Sequence, residues 1–407
     1  MSYRVVITGI GAVSTLGHNC DEITQALFNG HSGIGIDLDR KSLGFLSPLT
    51  GIIKPFTPKY NLQRKQKKTM PDFAQWAYEA VMQALEMSEI ALEDLENPQS
   101  GIIFGSDSSA LAAIVQTDKL LHSKNTTSIG SGLVFQSMTS CISMNLNTLL
   151  RTQGACWTIS AACSSSGHAV GQAADLIALG KQERVICGGA QEINWQSMCS
   201  FDGIGAFSQH VQQPEKASRP FDSKRDGLVP SGGAAAIILE RYDAAKKRGA
   251  KILGEIIGYG FSSDGENIAT PSSSGLGRAM KMALSQGQKS VSDVSYLCAH
   301  ATSTRVGDAM EATNIKAVFR DTAVPISSLK ALTGHELWMS GASQVVYSTL
   351  MAKAGFIAAN ANFIEADKEY SDLNILKENL PYPPKIVLCN AAGFGGTNSS
   401  LLIDFNF

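Results

Sequence analysis

The sequence predicts an α/β fold in which strands and helices pack in layers. Short β-branched runs bounded by glycine alternate with helical patterns along most of the chain, and such alternation is typical of α/β architectures. Hydrophobic residues make up 44% of the chain and charged residues 17%, which is enough apolar material for a large core. The length of 407 residues exceeds one ordinary core and indicates two domains.

The clearest helix of the first half is residues 71–88, where apolar side chains recur at helical spacing. Residues 21–30 predict another helix, with Asp21 near its start and Gly30 past its end. Further helices are expected at 165–180 and 241–250, and strands at 4–8, 101–105, 156–160, 184–189 and 234–240.

A new series of strands begins after residue 250. Its members are expected at 254–261, 296–300, 386–392 and 400–405. Because the polar and basic segment 241–250 is typical of a connecting helix, we place the domain boundary there. The predicted halves are residues 1–250 and 251–407.

Charge and apolar patterning exclude several functional classes. The 34 basic and 36 acidic residues give a net charge of −2, so the overall charge predicts no binding to nucleic acid or to a membrane surface. No uncharged apolar run approaches the roughly 18 residues of a membrane span, and the N-terminal stretch lacks a signal-peptide pattern. The eight cysteines show no CxxC spacing, as expected for reduced thiols in a cytoplasmic protein.

Cys163 lies in the segment TISAACSSSGHAVG, where a predicted strand gives way to a predicted helix. At the start of that helix the thiol would face unpaired backbone N–H groups and the positive end of the helix dipole, which both favour the thiolate. Small neighbouring residues would let a substrate approach the sulfur. The alternative is a buried core cysteine in a tight turn that needs small residues.

Two histidines in the C-terminal half are candidate partners for a nucleophile. His300 ends a predicted strand in AHATSTRVGDAMEA, and His335 follows Lys330 by five residues in SSLKALTGHELWMSG. A lone histidine is more often a core residue, but two histidines flanked by glycine, threonine and ionisable groups favour a site. The glycine-rich stretch NAAGFGGTNSS (390–400) could bring backbone N–H groups against a substrate.

Taken together and in this order, these motifs resemble the elongating β-ketoacyl-acyl-carrier-protein synthases. The resemblance rests on Cys163 among small residues, His300 in H-x-T-S-T, Lys330 and His335 in K-x-x-x-G-H, and the stretch G-F-G-G-T-N. It also covers VVITGIGAVSTLG and SRPFDSKRDGL, and so nearly the whole chain. SGGAA (231–235) is closer to the type I than to the type II synthases. The resemblance implies a thiolase fold, with two similar α/β halves stacked as five layers, and usually a dimer.

The same resemblance implies the reaction. An acyl chain is joined to malonyl-ACP with loss of carbon dioxide, and Cys163 carries the acyl group as a thioester, which divides one difficult step into two. The backbone N–H groups of Cys163 and Phe394 would form the oxyanion hole. Neutral His300 and His335 would donate N–H groups to the enolate that decarboxylation leaves, without a metal or another cofactor.

Further roles also follow from the resemblance alone. Lys330 and Glu311 would form a buried pair that organises the active site. Thr302 and Thr304 would hold the phosphopantetheine arm of ACP, and Phe394 would gate the acyl pocket.

The expected partner is an acidic acyl carrier protein. The segment QRKQKKTMPDF places four basic residues just before a helix, in the part of the chain that carries the carrier-binding surface in the family. These residues are Arg64, Lys65, Lys67 and Lys68. The synthase itself is expected as a homodimer, or as a heterodimer with a chain-length-factor homologue.

Several positions depart from the family pattern, among them Ala301 and Arg305 after the first histidine. Trp338 and Met339 replace small residues after the second histidine, and Ala392 stands where phenylalanine is frequent. We expect Ala392 to make room for Trp338, since a packed interior does not absorb such volume without compensation. GSDSS (105–109) is polar in a segment that contributes to the acyl pocket of the family. These changes favour a specialised product, such as a conjugated polyene of a polyketide-like system.

Other functions remain open at this stage. GIGAVS (9–14) resembles the start of a dinucleotide-binding loop but lacks the third glycine. Cys163, His168, His300 and His335 could in principle bind zinc, although their spacing matches no metal motif. A thiolase-type acyltransferase would need a second cysteine in the glycine-rich loop, and Cys389 lies earlier, on a strand. A non-catalytic chain-length-factor-like subunit is the alternative from a different class, and it would usually lack the nucleophile.

Overall fold

The computed structural model describes residues 2–407. Its strands are β1 Val5–Val13, β2 Ile34–Ile36, β3 Leu49–Gly51, β4 Ser100–Gly105, β5 Cys156–Ile159, β6 Arg184–Gln191, β7 Gly233–Arg241, β8 Gly254–Ser263, β9 Tyr296–Cys298, β10 Ile326–Ser327, β11 Ile386–Gly393 and β12 Thr397–Asp404. Its α-helices are α1 Cys20–Asn29, α2 Leu38–Ser42, α3 Arg64–Lys67, α4 Asp72–Ser88, α5 Ala110–Ser123, α6 Leu133–Gln136, α7 Cys141–Leu150, α8 Ser165–Ala178, α9 Trp195–Gly203, α10 Tyr242–Lys247, α11 Gly275–Gln286, α12 Arg305–Phe319, α13 Lys330–Thr333 and α14 Ser340–Ala354. Every strand and helix that the sequence predicts is present, with ends shifted by a few residues.

The ten strands of the main sheet form two arms with the same pattern. The order is β10-β9-β11-β12-β8-β1-β7-β6-β4-β5, so that β1 and β8 meet in the middle. In each arm the inner strands pair antiparallel and the outer strands pair parallel. Only two residue pairs join the arms, Val6 with Glu255 and Ile7 with Gly254. The arms are therefore two similar α/β units that meet at one edge.

Helices cover both faces of these arms and complete five layers. α8 and α14 pack against each other in the centre, and α8 contacts strands of both arms. On the outside, α4 covers β1 and β7, and α11 covers β8 and β12. A Cβ atom on Gly341 of α14 would lie 2.3 Å from the backbone nitrogen of Gly167 of α8, so small residues let the two central helices approach closely. This architecture confirms the predicted thiolase fold. The domain boundary near residue 250 falls between α10 and β8 and stays a prediction.

The glycines of GIGAVS lie inside β1 and not in a loop between a strand and a helix. A Cβ atom on Gly9 or Gly11 would come 2.1 Å from a main-chain oxygen of α4, that of Ala84 or Ala80. These glycines let the helix pack closely on the strand, and they do not form the phosphate-binding turn of a dinucleotide site.

The central helix α14 is buried from Ser340 to Met351. This continuous burial reflects its position between the arms, where no side of the helix meets water. Across residues 2–407, none of the helices combines the length and the apolar character that crossing a bilayer requires.

Candidate active site

Cys163 lies in the turn between β5 and α8. Ala162, just before it, has a φ of 47°, a left-handed conformation that costs free energy in a residue other than glycine and recurs at functional turns. Thr397 of the glycine-rich loop holds this turn in place. Its hydroxyl donates to the carbonyl oxygen of Ala161 at 2.9 Å and accepts from the hydroxyl of Ser164 at 2.9 Å. The C-terminal loop and the nucleophile turn are therefore fixed to each other.

Both candidate histidines meet this cysteine. Nε2 of His335 lies 3.1 Å from Sγ of Cys163. The ring of His300 stands edge-on to that of His335, with 5.3 Å between ring centroids and an interplanar angle of 84°. Nδ1 of His300 is buried and has no hydrogen-bond partner within residues 2–407. The structure thus brings one thiol and two imidazoles from opposite halves of the chain into one place.

The protonation of the site differs from the expectation for Cys163. Burial raises the pKa of the thiol to about 12, and the nearby ammonium of Lys330 only partly opposes this. The prediction that the start of α8 favours the thiolate is therefore wrong for the free enzyme, because the loss of water around the sulfur dominates. Burial also lowers the pKa of His300 and of His335 well below the ordinary value, and the charge of Lys330 adds to the effect. Burial therefore favours the neutral form of the thiol and of both imidazoles.

Lys330 and Glu311 are both buried and the charge of each shifts the pKa of the other, but the hydrogen bonds of Glu311 go to other groups. Glu311 instead accepts hydrogen bonds from the backbone N–H groups of His300 at 3.0 Å and Ala301 at 2.6 Å. The side-chain amide of Asn390 donates a third bond to it at 3.1 Å. Burial raises the pKa of Glu311 to about 7, and Lys330 acts on it only at longer range. The carboxylate therefore positions the chain around His300.

Asp308 holds the threonine motif, a role that the sequence did not reveal. Its carboxylate accepts from the backbone N–H groups of Thr302 at 2.9 Å, Ser303 at 3.2 Å and Phe221 at 2.8 Å. Burial raises its pKa to about 6, while these donors oppose the shift. The hydroxyls of Thr302 and Thr304 then lie 3.2 Å apart. The third donor is far away in sequence, so only the three-dimensional fold shows why an acid is needed here.

A mainly apolar cavity of about 210 Å³ opens onto these groups. Phe394 lies at its edge, 44% exposed, and stacks on Phe201 with 6.1 Å between ring centroids. The predicted site residues that line the cavity are Cys163, His300, Thr302, Thr304, Glu311, His335 and Phe394. One cavity therefore contains nearly all of them, with Lys330 buried close enough to act on the cysteine and both histidines.

The basic segment lies elsewhere on the surface. Its four basic side chains, Arg64, Lys65, Lys67 and Lys68, are exposed on and just after α3. The surrounding chain packs on the segment from α6 to α7, where Gln136 donates to the carbonyl oxygen of Lys68 at 2.9 Å and Thr69 donates to Asn145 at 2.6 Å. The structure does not bring these cations into the cavity wall.

Trp338 and Ala392 do not compensate for each other, contrary to the expectation. Trp338 packs in a buried apolar cluster with Cys163 and Met198, and its Nε1–H donates to the hydroxyl of Ser108 at 3.4 Å. Ala392 lines the cavity instead. The space for the indole is therefore bounded by the loop after β4 and by the start of α9.

His168 does not join the other histidines. Its Nδ1 lies 2.7 Å from the hydroxyl of Tyr259, and burial lowers its pKa to about 4. The four residues considered for zinc are therefore not gathered around one point.

Comparison with known proteins identifies relatives of the whole chain. The family model for the N-terminal domain of β-ketoacyl synthase matches residues 2–245, and the model for the C-terminal domain matches residues 253–364. The 3-oxoacyl-[acyl-carrier-protein] synthase 1 of Buchnera aphidicola is 39% identical over 404 residues, and that of Escherichia coli is 38% identical over 403 residues. Each alignment covers 98% of both proteins.

Solved structures agree with these relatives. A β-ketoacyl synthase from Burkholderia phymatum shares 33% identity and superposes with a TM-score of 0.94 over 100% of both chains. The ishigamide ketosynthase/chain length factor shares 25% identity, with a TM-score of 0.92 over 100% of both chains. A type II ketosynthase solved with its acyl carrier protein, AntDE:AntF, shares 26% identity, with a TM-score of 0.88 over 99% of this chain and 100% of that one.

Proposed function

This chain belongs to the β-ketoacyl synthase family, and on that premise we propose that Cys163, His300 and His335 carry its reaction. It is an acyltransferase that condenses an acyl thioester with malonyl-ACP, as its 3-oxoacyl-ACP synthase relatives do. The observation that carries the proposal is the 3.1 Å contact between Cys163 Sγ and His335 Nε2, with His300 beside it in the same cavity.

In the first half-reaction the sulfur of Cys163 attacks the thioester carbonyl of acyl-ACP. A new C–S bond forms, the bond to the phosphopantetheine sulfur breaks, and the thiol proton ends on that leaving sulfur. Because burial keeps the thiol protonated, with a pKa of about 12, the proton leaves during the attack, and Nε2 of His335 is in position to relay it. The backbone N–H groups of Cys163 and Phe394 stabilise the oxyanion, and losing one such donor costs roughly 2.7–4 kcal/mol.

In the second half-reaction malonyl-ACP enters the cavity. Its carboxylate leaves as carbon dioxide, and the electron pair of the broken C–C bond forms an enolate. His300 and His335 remain neutral because burial lowers their pKa values, so each donates an N–H to the enolate oxygen. The enolate carbon then attacks the acyl group, the bond to Cys163 breaks, and the released thiolate takes up a proton from solvent. Thr302 and Thr304 hold the phosphopantetheine arm.

The chain offers its own controls for a test of the nucleophile. Cys156 and Cys199 are exposed, whereas Cys163 is 8% exposed. After incubation with acyl-ACP and proteolysis, mass spectrometry should find the acyl group on Cys163 and on neither exposed cysteine. Cys163→Ala should abolish condensation. Full condensing activity of that variant would instead support the alternative of a non-catalytic subunit.

The proposed docking surface for acyl carrier protein is the exposed basic segment. Arg64, Lys65, Lys67 and Lys68 present four cations within five positions, and carrier proteins are acidic. The relative AntDE:AntF was solved as a complex between a ketosynthase and an acyl carrier protein. A surface of this charge would increase the rate at which an acidic partner arrives, and it would do so less at high salt.

The edge of the main sheet supports a dimer. β5 is the outermost strand, and it exposes 41% of Trp157, although exposed apolar edge strands are normally covered. We assign this surface to a second synthase chain, either another copy or a chain-length-factor homologue. Light scattering should give the mass of a dimer, and Trp157→Lys should shift it towards the monomer. A monomeric wild-type protein would contradict the assignment.

The proposed pathway is a specialised one that makes a polyene or another polyketide-like chain. It is supported by the bulk of Trp338 and Met339 beside the catalytic loop, by the polar contact of Trp338 with Ser108, and by the similarity to the ketosynthase of a type II PKS in the AntDE:AntF complex. Housekeeping fatty acid elongation is the competing assignment. Mass spectrometry of the chain on Cys163 in enzyme purified from the native host distinguishes the two, since long saturated chains would contradict a polyene pathway.

A cytoplasmic location completes the proposal. All eight cysteines are free thiols within residues 2–407, which fits a reducing compartment. Fractionation of host cells should recover the protein with cytoplasmic markers, and recovery in an oxidising compartment would contradict this location.

A further inference from the structure

Trp338 fills the space on one side of the nucleophile. It is 6% exposed and belongs to the same buried apolar cluster as Cys163, Met198 and Phe207. Its Nε1–H donates to the hydroxyl of Ser108 at 3.4 Å, which fixes the orientation of the indole. This side of the sulfur is therefore occupied by packed side chains.

The open space at the sulfur is the cavity, whose lining includes Leu228 and Leu337 of this cluster but not Trp338. Thr302, Thr304 and the partly exposed ring of Phe394 line the same cavity. Both thioesters have to reach Cys163 through it. The acyl group stays on the sulfur while the malonyl unit enters, so it has to vacate the cavity and lie against the apolar cluster. The position of Trp338 therefore sets how long that acyl group can be.

We propose that Trp338 is a specificity-determining residue that restricts the acyl group on Cys163 to a short chain. This inference deepens the proposed function and rests on Cys163 as the nucleophile. A close-packed interior accepts additional methylene groups only if side chains move, and the hydrogen bond to Ser108 opposes movement of the indole. The enzyme then acts early in its pathway, so a reaction that makes short acyl thioesters precedes it and a second elongating synthase follows it.

A competition experiment tests the restriction. The enzyme is mixed with equal amounts of acetyl-, butyryl-, hexanoyl- and dodecanoyl-ACP, and intact-protein mass spectrometry measures what Cys163 carries. A pocket that rejects even one methylene discriminates by about tenfold or more, so wild type should prefer acetyl over dodecanoyl by at least tenfold. Trp338→Ala should raise the dodecanoyl-to-acetyl ratio at least tenfold. Trp76→Ala, which removes a partly buried tryptophan beside a different cluster, should leave the ratio unchanged.

A second variant guards against misfolding. Trp338→Leu keeps an apolar side chain of smaller volume, and it should raise the ratio in the same direction if Trp338→Ala does not fold. Equal loading of dodecanoyl and acetyl groups on wild type would overturn the role of Trp338, and so would an unchanged ratio in the folded variants. Absence of any acyl group on Cys163 would overturn the proposed function instead, so the two failures are distinguishable.

Discussion

Replacing Glu311 with glutamine tests how the chain around His300 is held. The two carboxylate oxygens accept from the backbone N–H groups of His300 and Ala301, at 3.0 and 2.6 Å. Glutamine can accept from one of them, but its NH₂ group then faces the other donor. One buried backbone N–H is left unpaired, which costs about 1–3 kcal/mol. Glu311→Gln should therefore lower the free energy of unfolding by about that amount in chemical denaturation.

The same variant should lower the rates of the two half-reactions to different extents. His335, and not His300, contacts Cys163, so a displaced His300 should slow the release of carbon dioxide from malonyl-ACP more than it slows acylation of Cys163. Glu378→Gln, at an exposed position, is the matched control and should change neither stability nor rate. If Glu311→Gln were as stable as this control and released carbon dioxide at the wild-type rate, the positioning role of Glu311 would be refuted.

Three further perturbations follow from the structure. Burial holds the pKa of His335 well below its usual 6.5. Below that pH the unfolded chain therefore binds more protons than the folded chain, and the free energy of unfolding decreases as the pH falls. Between pH 7.5 and 5.5, wild type should lose about 1.4 kcal/mol more than His335→Gln in urea titrations, and equal losses would contradict this. Reversing the charges of Lys65 and Lys68 should raise the KM for acyl-ACP about tenfold at low salt and leave the KM for small thioesters unchanged. The same reversal at exposed Lys246 and Lys247 should change neither KM. Equal loss of activity on both substrates would count against docking. Thr397→Val removes two hydrogen bonds to the nucleophile turn and should lower the free energy of unfolding by about 1–3 kcal/mol. Thr313→Val, on an exposed face, should lower it little. A Thr397→Val variant as stable as wild type would argue that Thr397 does not hold the nucleophile turn.

The sequence predicts those elements whose patterns are local. β-Branched runs bounded by glycine predict the main strands, and motifs at strand ends predict where Cys163 and His300 lie, because such ends meet at the edges of an α/β sheet. α14 has no such local pattern. It is buried on every side between the arms, so it shows no apolar stripe opposite a polar face.

The errors in the candidate site have a common physical cause. The start of a helix favours a thiolate locally, but the surroundings that bury Cys163 come from distant parts of the chain and raise its pKa. Glu311 accepts hydrogen bonds from the backbone N–H groups of His300 and Ala301, which precede it by 11 and 10 residues. The acceptor role of Asp308 depends partly on Phe221, which precedes it by 87 residues. Burial and long-range hydrogen bonds of this kind are properties of the folded chain.

The most direct test of the central claim separates acylation from decarboxylation in one preparation. A double variant, His300→Ala with His335→Ala, is mixed with acyl-ACP and malonyl-ACP, while peptide mass spectrometry follows the acyl group on Cys163 and isotope-labelled malonyl-ACP reports carbon dioxide. We expect Cys163 to become acylated, more slowly than in wild type because His335 no longer relays the thiol proton, while carbon dioxide release falls to the uncatalysed level. Release at the wild-type rate without either imidazole would contradict the assignment of the two histidines to the enolate.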